Sequence, residues 1–85
     1  MATFVVHARR SPETLARLLS LFHRRALEIH RLTADRAQDD PSIWRIKVTV
    51  EADADLALRI EANLYKLEDV LLVERCGSVT NKSGS

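Results

Sequence analysis

Three histidines, one cysteine and twelve carboxylates are the side chains in this 85-residue sequence that could hold a metal or move a proton. His7, His23 and His30 show no HxxxH or HxH spacing, so a metal site would need the fold to gather them. Polar residues at the ends of elements account for them more simply. Cys76 stands alone, which excludes an internal disulfide and a CxxC metal clip, and no partner that would activate its thiol is identifiable. Catalysis by a nucleophile requires a base beside it, and acid–base work by paired carboxylates requires contrasting environments. No such constellation can be named, so the expectation is of no catalytic residues, no metal and no cofactor.

The stretch SPETLARLLSLFHRR, residues 11–25, offers another chemistry. Ser11 suits an N-cap, Pro12 the first helical position, and Glu13 the positive end of the helix dipole. A strand, a tight turn and a helix N-terminus together present backbone N–H groups that fit the carboxylate of a small ligand. On residue types alone an ordinary capped helix is the better account, because helix N-termini are common and few bind anything.

The elements that must position this stretch follow from periodicity. Residues 2–8 read as a strand with Phe4, Val6 and Ala8 on one face and Thr3, Val5 and His7 on the other. The helix that follows carries a buried stripe of Leu15, Leu18, Leu19, Phe22 and Ala26. In residues 27–36 the apolar parity changes between Leu27 and Ile29 and Leu32 and Ala34, which a bulge or a strong twist near His30 would reconcile. QDDPS, residues 38–42, is a turn. Residues 43–51 alternate cleanly, with Trp44, Ile46, Val48 and Val50 inward and Arg45 and Lys47 outward. Asp53 caps a second helix with the stripe Leu56, Ile60, Leu64 and Leu67, and residues 69–75 make a last strand. The order βαββαβ, with right-handed crossovers, predicts an α+β ferredoxin-like sandwich: a four-stranded antiparallel sheet with two helices on one face. Residues 1–76 form the domain, and residues 77–85, polar and without periodicity, a flexible tail.

Composition bounds the function. A domain of this size buries only roughly 60 to 65% of the surface its unfolded chain exposes, and with an internal disulfide and a CxxC metal clip excluded, self-association is the expected reinforcement. The net charge of +1 exerts no long-range pull on nucleic acid or anionic membrane. Sheets of this topology that read RNA stack bases on exposed aromatic rings, whereas Phe4, Phe22 and Trp44 fall on core stripes; nucleic acid is not an expected partner. No stretch resembles a signal peptide or approaches the ~20 apolar residues of a membrane span, which leads to the expectation of a cytoplasmic protein without a membrane partner.

PETLARLLSLFHRRALEI resembles the first helix and second-strand start of the ACT domain in acetolactate synthase small, regulatory subunits, whose pattern runs roughly NxPGxLxRxxxLFxRRGxNI. ANLYKLEDVLLVE is similar to that family's QLxKLxDVxxV ending, and the likeness follows the element order that the periodicity predicts. The resemblance implies a homodimeric, non-catalytic subunit of the short single-domain type. Such a subunit binds and activates the catalytic large subunit of acetolactate synthase in branched-chain amino acid biosynthesis and passes on feedback from a small amino-acid effector. It places that effector at a dimer interface, against the loop before the first helix and the start of the second strand. Here those positions are Arg10, Ser11, Glu13, Thr14, Glu28 and Ile29.

Three of these depart from the family pattern. Arg10 replaces an asparagine, Glu13 a glycine and Glu28 an asparagine. Glu13 adds bulk and negative charge where the effector's carboxylate would approach, and Glu28 exchanges an amide for a group that only accepts. Arg10 offsets part of this by pairing with a carboxylate. Weak or absent valine feedback is therefore expected. Arg31, Arg45 and Lys47 are the expected contacts for the catalytic subunit. The alternative reading is a free-standing ACT-domain sensor that binds another small ligand and regulates another enzyme.

Overall fold

The computed structural model describes residues 1–25 and 27–76. The expected tail at 77–85 and the place of Ala26 on the helix stripe lie outside the described residues. Strand β1 (Ala2–Arg9) leads to helix α1 (Thr14–Arg24), strands β2 (Ile29–Arg36) and β3 (Ile43–Val50), helix α2 (Ala54–Tyr65) and strand β4 (Val70–Cys76). The four strands form one antiparallel sheet in the order β2-β3-β1-β4. This is the ferredoxin-like βαββαβ arrangement that the sequence pattern predicts.

Strict alternation decides which side chains meet the helices. Phe4, Val6 and Ala8 of β1 and Ile46, Val48 and Val50 of β3 are fully buried and pack with Leu18 and Phe22 of α1 and Ile60 and Leu64 of α2. Burial of each large apolar side chain contributes about 1.5–3 kcal/mol. The opposite sheet face carries rows of cross-strand neighbours: Thr33, Lys47, Val5 and Glu74 form one, and Asp35, Arg45, His7 and Leu72 another.

Of the bulge and the strong twist that would reconcile the parity change near His30, the structure has the bulge. Ile29 pairs with Val50 and Arg31 with Thr49, so His30 is the extra residue, and the shift brings both Ile29 and Leu32 against the core. A second irregularity follows His7, which pairs with Leu72 while Ala8 pairs with Val70.

Two expectations for the first helix need correction. Ser11 does not cap it, nor does Pro12 open it. Residues 12 and 13 form a turn and α1 begins at Thr14, with Glu13 at the N-cap position and no side-chain cap bond. The Ser11 hydroxyl is used elsewhere, as described below. Leu19 is 43% exposed whereas Leu21 is 4% exposed. The sequence presents an apolar arc wider than the sheet can cover, and the side of that arc holding Leu21 is the one that packs. In α2 Asp53 caps as expected, its carboxylate accepting the Leu56 N–H at 2.8 Å.

The sheet has two edges. At β4 the Tyr65 hydroxyl accepts the Val73 N–H at 2.9 Å and donates to the Val73 carbonyl at 3.2 Å. One side chain thus occupies both backbone groups that a further strand would use there. The other edge is β2.

Candidate functional site

The turn between β1 and α1 is fastened by a buried hydroxyl. Thr14, 3% exposed, donates through Oγ1 to the Arg9 carbonyl at 2.6 Å and accepts the Ser11 N–H at 3.2 Å. The Ser11 hydroxyl lies 2.8 Å from the same oxygen. One oxygen of Asp69, at the foot of β4, lies 3.4 Å from Ser11 Oγ, 3.3 Å from Thr14 Oγ1 and 3.4 Å from an Arg17 guanidinium nitrogen. The Arg9 N–H also donates to the Asp69 carbonyl at 2.8 Å.

This network changes what the helix start can do. The positive end of α1 and the hydroxyls beside it face a carboxylate of the chain itself, which competes with an external anion for the same donors. Glu13 adds a second carboxylate, 3.9 Å from Arg17.

Arg10 turns away from Glu13. Its backbone N–H donates to the Ser42 carbonyl at 2.8 Å, its guanidinium donates to the Pro41 carbonyl at 2.9 Å and lies 5.7 Å from the centroid of the Trp44 ring. Arg10, Ser11, Pro12 and Trp44 line a hollow of about 280 Å³. The Trp44 indole N–H is buried without a hydrogen-bond partner among the described residues, an unmet donor beside that hollow.

The six residues expected at an effector site fall into two groups. Arg10, Ser11, Glu13 and Thr14 follow the end of β1, the end where Ala8 pairs with Trp44 and Trp44 with Arg36. Glu28 and Ile29 lie at the other end, where Ile29 pairs with Val50 and Val50 with Ala2. At ~3.3 Å per residue the two ends of the strands stand roughly 20 Å apart. One chain therefore does not bring the groups together.

Arg31, Arg45 and Lys47 are exposed on the sheet face away from the helices. Arg45 sits opposite Asp35 on one side and His7 on the other, and Lys47 lies between Thr33 and Val5. The histidines stand apart, His7 with Glu74 at 3.1 Å and His30 with Glu51 at 3.3 Å. Among the described residues no three His, Cys, Asp or Glu side chains gather as a metal-ligand set, and no helix is long and apolar enough to cross a membrane.

Sequence reasoning did not assign Asp69, Arg17 or Trp44 to this region. Asp69 and Arg17 lie in the two stretches whose wording resembles the small subunits, and their shared position in the motifs was the available signal. Nothing in the sequence joins Trp44 to Arg10.

The sequence profile of the ACT domain family matches residues 10–73, most of the chain. The chain belongs to the ACT domain family. Among curated proteins this ACT domain is similar to the acetolactate synthase small subunit of Haemophilus influenzae, with 39% identity over 59 residues, 69% of this chain and 36% of that protein. It thus spans little more than a third of the length of the curated relative. Among solved structures it superposes on the acetolactate synthase small subunit from Thermotoga maritima with a TM-score of 0.80 at 24% identity, over 87% of this chain and 45% of the other. It also superposes on the ACT domain from GTP pyrophosphokinase of Chlorobium tepidum, with a TM-score of 0.72 at 16% identity, over 88% of this chain and 95% of the other. These superpositions establish the fold of the ACT domain.

Proposed function

We propose that this ACT domain is a non-catalytic, homodimeric regulatory subunit that binds and activates the catalytic subunit of an acetolactate synthase in the cytoplasm. The observation that carries the reading is its 39% identity to the Haemophilus influenzae small subunit. The domain comprises residues 1–76, and Arg31, Arg45 and Lys47 on the open sheet face belong to its contact with the catalytic subunit.

Edge geometry supports the dimer. Tyr65 occupies the middle of the β4 edge, which leaves β2 as the edge for a second copy. Antiparallel pairing of β2 with its own copy would set Glu28 and Ile29 of one chain near the Arg10–Thr14 loop of the other, uniting the groups that a single chain separates. The united site discriminates against branched-chain amino acids: Glu13, Glu28 and the internal Asp69 carboxylate surround the place a ligand carboxylate would take. Valine feedback is weak or absent.

Reconstitution with the purified cognate catalytic subunit tests the activating role. A rise in synthase rate is expected, and an unchanged rate would sink it. Calorimetric titration with valine, leucine and isoleucine tests the feedback, and micromolar binding of any of them would overturn that part.

The hollow beside Arg10 and Trp44 favours a second reading, a free-standing sensor of a different small ligand. A thermal-shift screen separates the two, because a ligand of the folded state raises the melting temperature by mass action.

A further inference from the structure

On the helical side, away from the open sheet face and starting beside Glu13 and Arg17 of the loop network, two hollows of about 500 and 430 Å³ meet. Arg24 and Leu67 line both, so they form one groove between α1 and the end of α2. Its floor is apolar, with Leu21 buried and Leu67 half-buried. Its rim is cationic: Arg17, Arg24, Arg25 and Lys66 line it against the single carboxylate of Glu13.

Four cations less one carboxylate give the lining a formal charge of +3, against +1 for the whole chain. Arg17 is engaged with Asp69 at 3.4 Å and Glu13 at 3.9 Å. Arg24, Arg25 and Lys66 have no carboxylate within 4.0 Å among the described residues. Arg24 and Arg25 complement the C-terminal end of α1, which carries about half a negative charge, and an excess of positive charge remains. Glu61 of α2 is engaged by Arg75 at 2.7 Å and does not offset this charge.

We propose that this groove docks an acidic segment of a partner protein, with an apolar side chain of that segment resting on Leu21 and Leu67. Charge complementarity selects the partner. The form of the rim selects a polypeptide over a small anion. A small anion needs fixed donors that converge, whereas these cations stand on long exposed stems around an apolar floor, the arrangement of a protein interface with a polar rim. Of the uncharged polar groups on the rim, Ser20 and Asn63, the Asn63 amide already donates to the Arg59 carbonyl at 2.8 Å. The surface is additional to the proposed catalytic-subunit contact on the sheet face and stands independently of the synthase reading.

The test titrates the full chain, labelled with ¹⁵N, with a short synthetic peptide of alternating Glu-Glu and Leu-Leu pairs. Amide shifts are expected at Leu21, Arg25, Lys66 and Leu67, with affinity that falls steeply as salt is raised. The double reversal R24E/K66E should weaken binding about tenfold or more. The milder R24Q/K66Q should weaken it less and guards against loss of fold. Arg36→Glu, at the far edge of the sheet, should leave it unchanged. Shifts confined to the sheet face, equal affinity in the reversed variant, or saturation of the same amides by inorganic triphosphate but not by the peptide would each overturn the proposal.

Discussion

Asp69 and Thr14 join three parts of the chain that are distant in sequence: the end of β1, the start of α1 and the foot of β4. Thr14 is the more exacting of the two, because its hydroxyl is buried while it serves the Arg9 carbonyl and the Ser11 N–H. Thr14→Val keeps the shape and removes both bonds, leaving buried groups unpaired. It should cost about 1–3 kcal/mol in urea unfolding, and a loss well below that would mean that water replaces the hydroxyl. A second residue-level prediction concerns Asp40, whose carboxylate accepts from the Ser42 hydroxyl at 2.6 Å and the Ser42 N–H at 3.0 Å. The hydroxyl first, then the N–H, holds its pKa below the ordinary aspartate value. With the folded value below the unfolded one, the stabilisation is present above the ordinary aspartate pKa and is lost as pH falls through the folded pKa. Ser42→Ala removes the larger cause, so the Asp40 carboxyl resonance should titrate at higher pH, and an unmoved midpoint would contradict the assignment. Asp40 and Ser42 are neighbours and the turn was legible from QDDPS. The bond between Thr14 and Asp69 was not, because no local pattern encodes a contact made by two ends of the sheet's central connections.

At the scale of elements, alternation and capping were the readable signals. The change of parity between Ile29 and Leu32 called for a bulge or a strong twist, and the extra residue His30 is what lets both reach the core. Leu19 and Leu21 were not separable in the same way: each is three or four residues from another apolar position, and the choice is made by what α1 packs against. The two helix starts differ for a local reason. Asp53 spends its carboxylate on the Leu56 N–H, so Asp53→Ala should lower stability by about 1 kcal/mol, measurable as a shift in the urea midpoint. The Ser11 hydroxyl turns instead toward Thr14 and Asp69. Tyr65 acts on a whole strand, since its hydroxyl engages the outer backbone groups of Val73. Tyr65→Phe should uncover the β4 edge and produce concentration-dependent association beyond that of the unaltered protein in analytical ultracentrifugation. Unchanged sedimentation would show that the edge is guarded by something other than the hydroxyl.

At the scale of the molecule, the separation of the loop at Arg10–Thr14 from Glu28 and Ile29 sets a condition on any effector site built from both: two chains must supply it. The resemblance names these residues, but their separation could not be read from it, because that follows from the sheet order and register rather than from any motif. The condition makes the feedback proposal testable by complementation. Restoring the family residues in one chain, as R10N/E13G/E28N, removes two carboxylates and an arginine from around the ligand and should confer valine binding well above that of the unaltered protein. Neither R10N/E13G nor E28N alone should do so, since each dimer then keeps a defective half in every site. Co-expression of those two partial variants forms mixed dimers in which one site pairs a restored loop with a restored strand start and the other pairs two unaltered halves. With random pairing, about one quarter of all sites should then bind valine, as a closed two-fold dimer requires. Calorimetric stoichiometry reads that fraction directly. Binding by the triple variant but none by the mixture would place the whole site within one chain and refute the pairing of β2 with its own copy.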